Sequence, residues 1–167
     1  MIAINIAVLT VSDTRTEEDD TSGRLLKERI DSAGHRVGAY AIVSDDIHLV
    51  RARVCQSIID ADINAVIING GTGLTGRDGT PEAVRVLLDK EIEGFGELFR
   101  HLSYTDIGTS TISSRALAGI ANATFIFCIP GSPGACELAW DKLIEPQLNS
   151  DTRPCNLVQL IPRLKEV

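Results

Sequence analysis

The residues best suited to chemistry crowd into one stretch, Asn69-Gly70-Gly71-Thr72-Gly73-Leu74-Thr75-Gly76-Arg77-Asp78-Gly79-Thr80-Pro81. Its glycines let the main chain turn sharply and bring N–H groups close to a ligand, and Thr80-Pro81 reads as the N-cap and first residue of a helix. An anion such as a phosphate suits that geometry. Gly71, Gly73 and Gly76 spell G-x-G-x-x-G, yet a dinucleotide site needs its helix to begin inside the motif, and here Thr80-Pro81 delays it. Gly71 and Gly76 also have P-loop spacing, but Arg77 and Asp78 stand where Lys and Ser/Thr would reach phosphates and magnesium. What is left is a glycine cradle with a carboxylate on its rim. Such a carboxylate either holds a magnesium ion that in turn holds phosphates, or merely turns the chain.

Other groups gather by the same logic. Ser12-Asp13-Thr14 and Ser44-Asp45-Asp46 each follow an apolar run, and Pro130-Gly131-Ser132-Pro133-Gly134 follows another. The last is a second candidate anion cradle or a plain structural turn. Ser110-Thr111-Ile112-Ser113-Ser114-Arg115 sets hydroxyls beside an arginine, a grouping that grips phosphate through charge-assisted bonds or caps a helix.

These groups meet only if the intervening elements bring them to one rim. Ile4 to Val11, Val37 to Val43, Ala65 to Asn69 and Thr124 to Pro130 are short, rich in Val, Ile and Ala, and apolar on both faces. Such strands belong inside a covered parallel sheet. Helical spacing recurs between them: from a Ser22 cap to Gly34, after Asp45 or Asp46, from an N-cap at Thr80, from about Gly94 to Ser103, and from about Gly134 through Ile144. The expected architecture is one domain over residues 1–167, a three-layer α/β/α sandwich with a mostly parallel sheet. Ligands of such folds lie at the carboxyl ends of the strands, where Asp13, Asp45 and Asp78 would converge.

Composition narrows the partners. Sixteen Lys and Arg against 23 Asp and Glu leave a net charge of −7, and aromatics make up only 4%. That balance argues against nucleic acid, which repels an acidic chain and needs stacking platforms, and against anionic membranes. The apolar start, Met1 to Leu9, lacks a basic n-region and reads as a strand, and no apolar run reaches membrane-helix length, so a cytoplasmic location is expected. The four cysteines show neither C-x-x-C spacing nor zinc-ligand partners and read as reduced, mostly buried residues; no histidine has the context of a base or ligand.

Taken together, Thr10-Val11-Ser12-Asp13-Thr14, Asp20-Thr21-Ser22-Gly23, the Gly70 to Ala83 loop, Ser114-Arg115 with Ala118-Gly119-Ile120, and Pro130-Gly131-Ser132-Pro133 resemble the molybdenum cofactor biosynthesis family of molybdopterin-binding proteins. The resemblance covers nearly the whole chain. It is greatest to the family's B branch, through Glu18 to Gly23, Gly94-Phe95-Gly96-Glu97, Ile107 to Thr111 and Thr152 to Asn156.

The resemblance implies a molybdopterin-binding fold and a reaction, the magnesium-dependent transfer of AMP from ATP to the terminal phosphate of molybdopterin. The product passes to a partner that inserts molybdate. By position, Asp45 and Asp78 match the family's two magnesium-holding catalytic carboxylates, Gly70, Gly71, Thr72 and Gly73 its nucleotide and pterin-phosphate loop, and Ser114 with Arg115 its molybdopterin-phosphate grip. Ser12, Asp13, Arg77, Thr80, Pro130, Gly131 and Ser132 complete the expected binding set. Some B-branch members lose the basic residue before the second Asp and the Thr after it, and such proteins bind without turnover; Arg77-Asp78-Gly79-Thr80 keeps both. Val43-Ser44-Asp45-Asp46 departs from the family's usual Pro-Asp-Glu, which leaves open whether Asp45 or Asp46 faces the metal. The alternative is a non-catalytic molybdopterin carrier or scaffold. The family also implies trimers, or hexamers of two trimers.

Overall fold

The coordinates, a computed structural model, describe residues 1–166. Six strands form one sheet in the order β2-β1-β3-β6-β5-β4: β1 (Asn5–Val11), β2 (Arg36–Val43), β3 (Ala65–Asn69), β4 (Lys90–Glu91), β5 (Leu117–Ala121) and β6 (Thr124–Ile129). The pairs β1–β2, β1–β3 and β3–β6 are parallel, whereas β5 runs antiparallel to β6 and β4 to β5. Alternation of side chains along the strands divides the core in two. Ile6, Val8, Ile67 and Phe127 point to one side, and Ala7, Leu9, Val66 and Ile68 to the other. Each of the Val, Leu, Ile and Phe side chains so buried contributes roughly 1.5–3 kcal/mol, so the strand frame is held far more firmly than the loops at its rim.

Helices cover both faces. They are α1 (Thr21–Ser32), α2 (Ile47–Ile59), α3 (Thr80–Arg85), α4 (Glu93–Ile107) and α5 (Pro133–Ala139), the last continuing through a π-helical segment, Trp140–Ile144, into α6 (Glu145–Leu148). The sandwich expected from the sequence is therefore present, with two differences inside the sheet. β2 is an edge strand and is only half-buried. β5, an Ala- and Gly-rich stretch, forms a hairpin with β6 through Asn122 and Ala123, both at positive φ (46° and 63°). That backbone fits the two-residue turn whose twist matches antiparallel strands, normally signalled by Asn-Gly. With Ala123 in the glycine position, the usual sequence signal is missing.

Helix starts are shifted from the expected residues. Asp20, not Ser22, caps α1, its carboxylate accepting the Gly23 N–H at 2.9 Å, while the Ser22 hydroxyl donates to the Gly131 carbonyl at 2.7 Å. Gly79, not Thr80, is the residue before α3, so Thr80 is already inside the helix and makes no capping bond. Asp46 caps α2, accepting from His48 and Leu49 N–H groups at 2.9 and 3.0 Å. Of the four free cysteines, Cys128 and Cys136 are buried, Cys55 is half-buried and Cys155 is exposed. No helix among the described residues is long and apolar enough to cross a membrane.

Candidate functional site

The parallel strands deliver four loops to one edge. Main-chain bonds stitch them together: Ser12 N–H donates to Val43 at 2.9 Å, and Gly70 N–H to Ile129 at 3.1 Å. At the centre the chain leaves β3 through two glycines at positive φ, Gly70 (103°) and Gly71 (62°). A Cβ on Gly70 would lie 2.2 Å from the Val11 carbonyl oxygen, and one on Gly131 would lie 3.0 Å from the Gly70 Cα. Backbone contact between the two glycine turns therefore leaves no room for side chains, and the two candidate cradles form one surface.

Beneath this turn lies a buried polar chain that the sequence reading did not assemble. Asn69 Nδ2 donates to Thr10 Oγ1 at 2.9 Å, and Thr10 Oγ1 donates to Asp20 Oδ2 at 2.6 Å. Tyr40 Oη donates to the same oxygen at 2.7 Å. Asp20 is only 1% exposed. Burial opposes its charge, but the Thr10, Gly23 and Tyr40 hydrogen bonds outweigh it and hold the carboxyl below its ordinary pKa. Asp20 thus fixes the ends of β1 and β3 from below, a role legible only as the Asp-Thr-Ser-Gly motif.

Asp13, Asp45 and Asp78 do converge, in unequal states. Asp13 accepts two bonds from Arg77, Nε to Oδ2 at 3.1 Å and Nη2 to Oδ1 at 2.7 Å, and one from the Asp45 N–H at 3.1 Å. The Arg77 bond holds its pKa down. Asp78 accepts from Thr75 N–H and Oγ1 at 2.8 and 2.6 Å, and these bonds, led by the Thr75 hydroxyl, hold its pKa down too. Asp45 differs: desolvation raises its pKa, the Asp78 and Asp13 charges add to the rise, and one Gly79 N–H at 3.4 Å opposes it. Asp46 spends Oδ1 on the α2 cap, whereas both Asp45 oxygens border the space a Gly71 Cβ would occupy, 3.0 Å from it.

Thr80 borders the same space. Its hydroxyl would stand 2.3 Å from a Gly71 Cβ, and Thr80 is fully buried with no hydrogen-bond partner for Oγ1. An orphaned hydroxyl beside an unneutralised carboxylate is the pattern of a site whose ligand supplies the missing bonds. Among the described residues no three His, Cys, Asp or Glu side chains lie together in a set able to hold a metal. Two carboxylates sharing a magnesium ion with substrate phosphates do not need a third, and Asp45 with Asp78 fits that donor set.

The remaining expected residues take structural places around this centre. Ser12 Oγ accepts from Thr14 and Arg15 N–H groups, and Ser132 Oγ accepts the Ala135 N–H to cap α5. Pro130 accepts from the Cys136 thiol, whose pKa burial pushes up to about 12. The Arg115 guanidinium holds the glycine loop. Nε donates to the Thr72 and Gly73 carbonyls at 3.2 and 2.8 Å, Nη2 donates to the Asp78 carbonyl at 2.6 Å, and Nη1 meets the Glu82 carboxylate. Ser114 lies beside it at the mouth of a cavity between α3, α4 and β5.

A doubly covered sheet with glycine turns and carboxylates at its carboxyl rim defines an α/β protein of the class whose ligands lie at the strand ends. Residues 7–150 match the family described as a probable molybdopterin-binding domain, and the chain belongs to that family. Molybdenum cofactor biosynthesis protein B of Escherichia coli (strain K12) is 54% identical over 155 residues, 93% of this chain and 91% of that protein. A crystal structure of a molybdenum cofactor biosynthesis protein B superposes with a TM-score of 0.86 at 49% identity, covering 88% of this chain and 92% of the other. The tungsten cofactor synthesizing protein MoaB from Pyrococcus furiosus superposes with a TM-score of 0.76 at 36% identity, covering 82% and 88%.

Proposed function

We propose that this protein acts in molybdenum cofactor biosynthesis by transferring AMP from ATP to the terminal phosphate of molybdopterin. A pterin phosphate oxygen attacks the α-phosphorus of ATP. The new O–P bond forms as the bond to the bridging β-oxygen breaks, and pyrophosphate leaves with the electron pair. The phosphate is already an anion at neutral pH, so no general base is needed. Asp45 and Asp78 would hold magnesium, which when bound neutralises charge on the reacting phosphates. Gly70 to Gly73 admit the phosphates to main-chain contact, Thr80 donates its hydroxyl to them, and Arg77 and Arg115 keep the loop in shape. Molybdopterin and ATP are the substrates, and the adenylylated pterin passes to a molybdate-inserting partner. The family's trimer or hexamer fits the exposed apolar side chains of Leu98, Tyr104, Ile107 and Ile112.

The observation that carries this reading is the orphaned Thr80 hydroxyl facing Asp45 across Gly71. Thr80→Val removes that hydroxyl at nearly constant shape. The thermal midpoint should hold or rise, because a buried unsatisfied group is lost, while adenylyl transfer should fall. Full activity in a well-folded variant would reject the assignment. A carrier without turnover is the second reading, favoured only if molybdopterin binds and no adenylylated product forms.

A further inference from the structure

The glycine turn at the centre of the site is tied to a residue on the edge strand. Tyr40, on half-buried β2, pairs in register with Val8 of β1, and its hydroxyl donates to Asp20 Oδ2 at 2.7 Å. Burial, and then the Asp20 carboxylate, push the phenol pKa well above its ordinary 10, so the hydroxyl keeps its proton. Lys27 of α1 lies over the ring, with Nζ 3.8 Å from the centroid, and steadies it.

From Asp20 the hydrogen bonds run in one direction. An ionised carboxylate only accepts, so Thr10 Oγ1 must donate its single proton to Asp20 Oδ2 at 2.6 Å and has only lone pairs left. It therefore accepts from Asn69 Nδ2 at 2.9 Å, which fixes the end of the Asn69 amide that faces β1. Thr10 and Asn69 continue the buried faces of Ile6 and Val8 and of Ala65 and Ile67, where packing alone would call for aliphatic side chains. Asn69 ends β3, and Gly70 follows it. The turn is thus seated on this relay at two points: through Asn69 in the chain, and through Val11, next to Thr10, whose carbonyl oxygen would lie 2.2 Å from a Gly70 Cβ. Gly71 in turn borders Asp45 and Thr80.

We propose that Tyr40 is a positioning residue for adenylyl transfer: its hydroxyl, acting through Asp20, Thr10 and Asn69, sets the Gly70–Gly71 turn against Asp45 and Thr80. This rests on the adenylyl-transfer reading above. The relay touches no substrate. Its effect falls on the alignment of the reacting phosphates, where a misplacement of about 1 Å caused far from the chemistry costs up to about a hundredfold in rate. The contacts that hold ATP are not among its members, so affinity is spared.

The test compares wild type with Tyr40→Phe, Thr10→Val, Thr10→Ser and a control, Lys165→Ala. Asp20 is left unchanged because it also caps α1. Three quantities are measured: the single-turnover rate, the ATP dissociation constant, and hydrogen exchange of the Gly70 amide, which is protected by its bond to the Ile129 carbonyl. Phe keeps the ring under Lys27 and loses only the hydroxyl. Tyr40→Phe should lower the rate about tenfold with ATP affinity held within about twofold, and should speed Gly70 exchange. Thr10→Val should do at least as much, and Thr10→Ser, which restores the hydroxyl, should recover most of the rate. A merely structural role would lower the thermal midpoint of Tyr40→Phe and leave its rate and Gly70 exchange at wild-type values; that result overturns the proposal, as does a failure of Thr10→Ser to recover what Thr10→Val loses. If wild type forms no adenylylated pterin, the turnover reading fails by itself. Faster Gly70 exchange in Tyr40→Phe and Thr10→Val, but not in Thr10→Ser, then still supports the relay as the seat of the turn, and unchanged exchange overturns it too.

Discussion

Arg77 and Asp13, sixty-four positions apart, are joined by two parallel hydrogen bonds of 3.1 and 2.7 Å that tie the glycine loop to the end of β1. Asp13 also accepts the Asp45 N–H, so one carboxylate couples three loops. Both partners are substantially exposed, 62% and 41% at the side chain, and such pairs add little to global stability. Their consequence is local. Arg77→Ala should leave the thermal midpoint nearly unchanged while raising KM for ATP, because Asp78 and Asp45 lose their common tether. A large fall in midpoint with unchanged kinetics would contradict this division.

Asp45 should be kept for function at a cost in stability. Its pKa lies above the ordinary 3.8 because the folded state desolvates it and sets it near Asp78 and Asp13. A carboxyl whose folded pKa is raised binds its proton more tightly in the native state. Its effect on stability therefore worsens as pH climbs from the unfolded value through the raised one and stays unfavourable above that. Asp45→Asn should raise the thermal midpoint at pH 7, with the gain vanishing below about pH 3.8, and should reduce adenylyl transfer about a hundredfold or more if a metal contact worth several kcal/mol is lost. Asp46→Ala should do the reverse, lowering the midpoint by removing the α2 cap and sparing turnover. Calorimetry over a pH series, paired with a pyrophosphate-release assay, separates the two residues.

Much of this was legible in the sequence, and the reasons for the rest are physical. β3, Ala65–Asn69, was read to the residue because a short run of aliphatics buried on both faces has one interpretation. β5 was not, because Gly119 and two alanines lower its strand signal and its turn carries Ala123 where glycine is usual. The loop carboxylates were found by their places after strands. Which of Asp45 and Asp46 faces the site was not, since adjacent aspartates differ only in direction, and a helix cap claims one of them. The engagement of Arg115 with the Thr72, Gly73 and Asp78 carbonyls is also invisible in sequence, where an arginine beside serines reads the same whether its donors are spent or free.

The β5–β6 turn offers a test of the fold apart from function. Ala123 sits at φ 63°, where a Cβ costs about 1–2 kcal/mol. Ala123→Gly should recover part of that, raising the thermal midpoint by roughly 2–4 °C for a domain of this size, with kinetics unchanged. A lowered midpoint would mean that glycine's extra freedom in the unfolded chain outweighs the strain.

Adenylyl transfer itself is read by a single-turnover experiment. Protein in excess is mixed with molybdopterin, ATP and magnesium, quenched at intervals, and analysed by mass for the pterin. A molybdopterin–AMP adduct and one pyrophosphate per ATP consumed are expected, with neither formed when magnesium is chelated. Molybdopterin that stays bound and unmodified while ATP remains intact would contradict it and leave a carrier in its place.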